Sequence, residues 1–168
     1  GSEHTTADDN GDGTHHFVCS VCRAGGSEAH TINSTTGKCV CGLEMAGAKV
    51  TSAGVDTYYE TLSAALAAAK SGDTVTLCAD VNIGITAHKI PAGVNFSGGE
   101  YTVSGEGAGW IYNYGTIEDG VFAFIVENYG TIKGGEFHFE CLIHSRITLH
   151  DNFTVGTLAV AIFLLCES

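Results

Sequence analysis

Apolar and polar residues alternate in short runs along most of this chain, and glycine breaks those runs. Thr74-Val75-Thr76-Leu77-Cys78 shows the pattern at its simplest, with β-branched residues and a period of two. That period predicts a strand. Just upstream the period changes. Tyr58, Leu62, Ala65, Leu66 and Ala69 recur at spacings of three and four, which predicts a helix over 56–70. Its alanines have high helix propensity, Asp56 is the expected N-cap, and Ser71-Gly72-Asp73 is the expected stop.

Downstream the pattern repeats. Asn113-Tyr114-Gly115-Thr116-Ile117-Glu118-Asp119-Gly120-Val121-Phe122 is followed, 15 residues on, by Asn128-Tyr129-Gly130-Thr131-Ile132-Lys133-Gly134-Gly135-Glu136-Phe137. Phe96-Ser97-Gly98-Gly99-Glu100-Tyr101 is a partial earlier copy, and Ile147 and Asn152-Phe153 continue the register weakly. Strand-type residues recurring at a short fixed period indicate a solenoid, in which each unit buries its apolar face against the next. Stacking places Ile117 over Ile132 over Ile147 and Phe122 over Phe137. Asn113 and Asn128 then form a side-chain amide ladder. A β-meander of hairpins is the alternative, though it rarely repeats such a motif in register.

Composition divides the chain near Ala46-Gly47-Ala48. The part before it holds Cys19, Cys22, Cys39 and Cys41 and the histidines His4, His15, His16 and His30, and has few apolar runs. The expected division is a Cys/His-rich segment over 1–47 and a β-rich domain over 48–168. With 23 glycines and a single proline, Pro91, the chain suits a β protein with many tight turns. Its net charge of −12 excludes a phosphate-backbone partner, so nucleic acid is not expected, and an anionic membrane surface is disfavoured for the same reason. The longest apolar run, Leu158 to Cys166, reads as a buried strand and is far short of the ~20 residues that span a bilayer.

Residues Tyr59 to Leu77, ending in the run Gly72-Asp73-Thr74-Val75, resemble the entry segment of right-handed parallel β-helices of the pectate-lyase-like superfold, where a helix caps the open end of the coil. The N-x-G-T-I-x-x-G-x-F repeats look like those of Gram-positive, gut-type cell-surface proteins. The segment from His15 to Gly42 is similar to short repeats of the same kind of protein, with a C-x-x-C and a second Cys pair before glycine. Here the second pair is C-x-C, one residue shorter. The resemblance implies a mostly β fold: a small right-handed parallel β-helix with an N-terminal capping helix, preceded by a small zinc-ribbon-like β-hairpin. It also implies an extracellular or cell-wall-attached address. Gly1-Ser2 reads as a trimmed start, so a signal peptide is not expected within the sequence.

Cys19-x2-Cys22 and Cys39-x-Cys41 are two close pairs on either side of a loop, as a structural zinc site requires. Alternate residues of an extended strand lie ~7 Å apart, so a turn at Gly42 is needed to bring Cys39 and Cys41 together. His15 or His30 is the alternative ligand. Disulfides, favoured by an extracellular address, and free thiols remain open. Asp8-Asp9-Asn10-Gly11-Asp12-Gly13 matches the opening of a calcium loop, but position twelve counted from Asp8 is Cys19 rather than a bidentate Glu. A tight hairpin turn is the better reading, and calcium is not the expected ligand.

Tyr112, Tyr114 and Tyr129, with Trp110 close by, form either an aromatic platform for sugar rings or stacked core. Lyases and hydrolases on the β-helix fold work with clustered acids, and Glu118, Asp119, His144 and Arg146 are the candidate cluster here. Glu118 aligns with Lys133 in the next repeat, which opposes a free acid there. Cys78, Cys141 and Cys166 read as small buried hydrophobes. The expected function is therefore a non-catalytic cell-surface module: a stalk, an adhesin or a weak glycan binder on a host or wall surface. A carbohydrate-active enzyme fragment is the alternative. The sequence sets no oligomeric state.

Overall fold

A computed structural model describes residues 4–19, 22, 24–106, 109–140 and 161–165. The first unit is an antiparallel sheet of β1 (His4–Asp9), β2 (Thr14–Cys19) and β3 (Gly25–Ala29), in that order. The β1–β2 connection is the would-be calcium loop. Gly11 and Gly13 take left-handed φ values of 74° and 85°, which glycine adopts without a Cβ penalty. The Asp9 carboxylate accepts from the Gly11 N–H at 2.8 Å, and that of Asp12 accepts from the Thr14 N–H at 3.0 Å. These bonds build a hairpin turn, as the sequence predicts.

The second unit opens with a hairpin, β4 (Ala48–Ser52) and β5 (Val55–Tyr59), closed by Ala53 and Gly54 at positive φ. This corrects the predicted helix start. Asp56 lies in β5 and caps nothing. Its carboxylate accepts from the Lys49 ammonium at 2.7 Å and the Thr51 hydroxyl at 2.6 Å across the hairpin. Valine, threonine and tyrosine at Val55, Thr57 and Tyr58 favour the pleated conformation, and pairing with β4 outweighs the weak helical period there. Helix α1 runs only Leu62–Ala68, and Thr61 is its N-cap, accepting from the Ala64 N–H at 3.2 Å. Leu62, Ala65 and Leu66 of the predicted stripe are its buried face. Gly72, at φ 96°, follows as expected, and Asp73 accepts from the Lys70 N–H to close the turn.

The remaining elements are β6 (Thr74–Leu77), β7 (Val81–Asn82), β8 (Ala87–Ile90), β9 (Asn95–Ser104), β10 (Trp110–Asn113), β11 (Thr116–Ala123), β12 (Ile125–Asn128), β13 (Thr131–Ile132), β14 (Glu136–Glu140) and β15 (Ala161–Leu165). The protein is thus mostly β, with one short helix among the described residues. Strand β4 pairs antiparallel to both β5 and β6. From β6 onward every pairing among the described residues is parallel: β6, β9, β11, β14 and β15 lie in sequence across one sheet, and β8, β10 and β12 form another. Hairpin pairing of the repeats, the meander alternative, is not what these strands do.

The repeat sets the register. Trp110 faces Ile125, Ile117 faces Ile132 and Phe122 faces Phe137, each partner 15 residues on. The Phe122 and Phe137 rings stack at 5.0 Å and 9°, and Phe96 adds a tilted ring at 5.8 Å from Phe122. All three rings are fully buried, with Ile111, Ile117 and Val126 beside them. The partial copy departs from the repeat. Phe96 faces Ile117, but Val103, not Tyr101, faces Phe122, because β9 and β11 slip register between these points. Ile147 and the Asn152-Phe153 pair lie outside the described residues, as do Cys141 and Cys166. The apolar run at the end contributes β15.

Asn113 and Asn128 are buried polar residues at the ends of β10 and β12. The Asn113 amide donates to the Asn128 side-chain oxygen at 2.6 Å and to the Thr131 carbonyl at 3.0 Å. Its own oxygen accepts from the Gly115 N–H, and the Asn128 amide donates to the Gly130 carbonyl. The amide ladder read from the sequence is present. The glycines of the repeat are there for close approach: a Cβ on Gly130 would overlap the Gly115 carbonyl oxygen, and one on Gly115 would overlap that of Val94.

Two outcomes follow. Gly130→Ala forces the backbones of adjacent repeats apart and lowers unfolding free energy in urea by about 1–3 kcal/mol. The Asp56 carboxyl is held below its ordinary value, first by the Lys49 ammonium and then by the Thr51 hydroxyl. Its contribution is therefore present above the unfolded value of about 3.9 and is lost as pH falls through the lower folded value. Thermal melts of Asp56→Asn across pH 7 to 2 should show a lower Tm near neutrality and a shallower loss below about pH 4 than wild type.

Candidate functional sites

Two groupings of side chains merit a functional reading. The first is an aromatic strip on the outer face of the β8–β10–β12 sheet. Strand alternation buries Ile111 and Asn113 of β10 and turns Trp110 and Tyr112 outward. Register then lines Lys89, Tyr112 and Glu127 across the sheet. Tyr114 and Tyr129 occupy the same place in successive repeats, just past the Asn pair, and are 42% and 38% exposed.

The strip is continuous. Trp110 and Tyr112 lie 6.1 Å apart between ring centroids, Tyr112 and Tyr129 6.5 Å, and Tyr129 and Tyr114 5.0 Å, with interplanar angles of 12–30°. The Tyr129 hydroxyl donates to the Glu127 carboxylate at 2.9 Å, and this bond holds the phenol above its ordinary value. The three tyrosines singled out in the sequence are thus brought together with Trp110. They are surface rather than core. Glu127 was missed, although the 15-residue offset from Tyr112 would have found it.

The second grouping is in the first unit. His15 of β2 is buried, as is Cys39, while Cys41 is half-buried, and their ligand atoms all lie within 4.8 Å of one another. The Cys39 Sγ is 3.5 Å from the His15 Nδ1. A tight turn makes the cysteine pair: the Gly42 N–H donates to the Cys39 carbonyl at 2.9 Å, with Gly42 at φ 91°. This is the turn that the C-x-C spacing demanded. Burial opposes ionisation of Cys39, but the Cys41, Thr31 and Val40 amides and the Cys41 thiol more than offset it and hold it below the ordinary thiol value. The Leu43 amide favours a Cys41 thiolate, yet burial and the neighbouring Cys39 outweigh it and push that thiol up.

Of the four cysteines read from the sequence, Cys39 and Cys41 are the two in this cluster among the described residues. Cys19 ends β2, and its side chain lies outside the described residues. Cys22 is exposed in the turn after β2 and carries a free thiol, as do Cys39, Cys41 and Cys78. His30 is not a member of the cluster. Its ring lies against that of His15 at 5.6 Å, and its Nε2 is 3.5 Å from the Asp9 carboxylate. The Nε2 atoms of both rings are buried without a hydrogen-bond partner; that of His15 faces Glu28 at 4.0 Å.

Two members of the candidate acid cluster, Glu118 and Asp119, are described, and each has its own partners. Glu118 accepts from the Lys133 ammonium at 2.9 Å, the opposition read from the repeat. Asp119 accepts from the Ser97 hydroxyl and the Gly99 N–H, both at 2.9 Å, and so holds the β9–β11 bulge. His144 and Arg146 lie outside the described residues. Among the described residues no helix is long and apolar enough to cross a membrane. No family model, curated protein or solved structure matches the chain.

Burial separates the thiols. A brief maleimide pulse on the reduced, native protein, followed by peptide mapping, should find Cys22 labelled at least about tenfold faster than Cys39, whose labelling needs local opening.

Proposed function

We propose that this chain is a non-catalytic, extracellular or cell-wall-attached module that binds glycans weakly through Trp110, Tyr112, Tyr114 and Tyr129. The parallel strands are read as coils of a small right-handed parallel β-helix, with α1 at its open end. The 15-residue register between repeats supports that reading. The observation that carries the function is the unbroken, outward-facing aromatic strip. Exposed aromatic rings aligned along a sheet are costly to leave in water unless something stacks on them. Glu127 and Lys89, at the edge of the strip, supply the polar groups that orient hydroxyls. The net charge of −12 favours neutral or cationic sugars over polyuronates. The second element of the reading is a structural zinc ion in the Cys/His segment, since so small a unit gains from a metal staple.

Binding to neutral polysaccharides tests the main claim. Because Trp110 is the single tryptophan, its fluorescence reports directly on the strip. Titration with soluble β-linked glucans and mannans should shift its emission. Tyr112→Ala or Tyr129→Ala should weaken binding about tenfold, one such step being ~1.4 kcal/mol and within the range of a stacked ring. No response to any neutral or amino-sugar glycan across an array would refute the glycan reading. Turnover of pectin-like polymers would instead favour a carbohydrate-active enzyme.

A further inference from the structure

We infer that the metal centre of the first unit consists of His15 Nδ1, Cys39 Sγ and Cys41 Sγ, with solvent in the fourth position, and that it clamps the two units together. The inference rests on the zinc reading above and names its ligands, which differ from the four-cysteine set that the spacing suggested.

Geometry makes the choice. His15, Cys39 and Cys41 already hold three soft or borderline donor atoms within 4.8 Å of one another, the separation a single tetrahedral ion spans with little movement. Two thiolates and an imidazole suit Zn²⁺ rather than a hard cation. The 3.5 Å contact between Cys39 Sγ and His15 Nδ1 is close to the edge of a zinc tetrahedron. Coordination through Nδ1 puts the proton on Nε2, a buried atom that has no hydrogen-bond partner and faces the Glu28 carboxylate at 4.0 Å. A carboxylate behind a ligating imidazole fixes its tautomer and raises its basicity.

Cys19 and Cys22 do not fit the same ion. Cys19 and His15 belong to one extended strand, so their backbones are roughly 13 Å apart at ~3.3 Å per residue. Cys22 lies further along the chain, exposed in the turn beyond.

The ligands also come from two places in the fold. His15 belongs to the β1–β2–β3 sheet. Cys39 and Cys41 belong to a loop that is bonded to the second unit: the Tyr58 N–H donates to the Ser34 carbonyl at 2.7 Å, and the Gly47 N–H to the Tyr59 carbonyl at 3.0 Å. An ion on these donors joins the first sheet to the β4–β5 hairpin.

Cobalt substitution of the full chain under reducing conditions tests the set. Wild type should bind one equivalent of Zn²⁺, and the Co²⁺ form should show tetrahedral d–d bands and a thiolate charge-transfer band worth two Co–S bonds. Cys39→Ser and Cys41→Ser should each halve that band, and His15→Ala should weaken Co²⁺ affinity at least about tenfold. Cys19→Ser and Cys22→Ser should leave the spectrum unchanged. Trp110 emission confirms that the second unit is folded in each variant, and amide exchange in β1–β3 of the zinc-free variants, compared with zinc-free wild type, checks the first. Removal of zinc from wild type should raise amide exchange in β1–β3 while sparing β10–β12. If Cys19→Ser or Cys22→Ser reduces the band as much as Cys41→Ser, the ligand set is wrong and the zinc reading stands. If reduced wild type takes up neither metal, both fall.

Discussion

One hydrogen bond, from the Asn113 amide to the Asn128 side-chain oxygen, ties the protein's register together. The two residues are buried, so each side chain must find partners within the protein or destabilise it. The Asn113 amide and the Asn128 oxygen find theirs only if the second repeat sits 15 residues after the first and directly against it, while Gly115 and Gly130 serve the other two atoms locally. A slip of one residue would leave the Asn113 amide and the Asn128 oxygen without these partners and turn Ile117, Ile132, Phe122 and Phe137 out of the core. Polar satisfaction and apolar burial therefore demand the same register. The glycines that follow each asparagine let the backbones come close enough for the bond to form.

The candidate glycan surface depends on that register. Tyr114 and Tyr129 are one residue past the paired asparagines, and Tyr112 is one residue before Asn113. The constraint that closes the core on one side of β10 and β12 thus aligns rings on the other. Neither face can be rearranged alone. The Cys/His unit follows a different logic. It has little apolar core, and its order comes from turns, an antiparallel sheet and the donor cluster at His15.

Much of this was legible in the sequence where a local rule and a global rule agreed. The repeat predicted the stacked phenylalanines, the paired asparagines and the opposition of Lys133 to Glu118, because a fixed offset converts directly into contacts. The C-x-C spacing predicted the turn at Gly42, because no extended chain brings such a pair together. Reading failed where two weak signals competed. The stripe that ran back to Tyr58 suggested a helix from 56, but β-branched neighbours and the partner strand Ala48–Ser52 made 55–59 a hairpin, and Thr61 became the cap. The metal candidates were harder still. Cysteine spacing is visible along the chain, whereas the approach of His15 to Cys39 joins residues 24 apart through tertiary folding.

The claim that the buried amide pair sets the register is tested most directly by a double-mutant cycle in urea on Asn113→Ala, Asn128→Ala and the pair. Each single change strands a buried partner and should cost about 1–3 kcal/mol. The double change strands neither, so its cost should fall short of the sum by about 1 kcal/mol or more. Additive costs within about 0.3 kcal/mol would contradict the account, because the two amides would then not depend on each other.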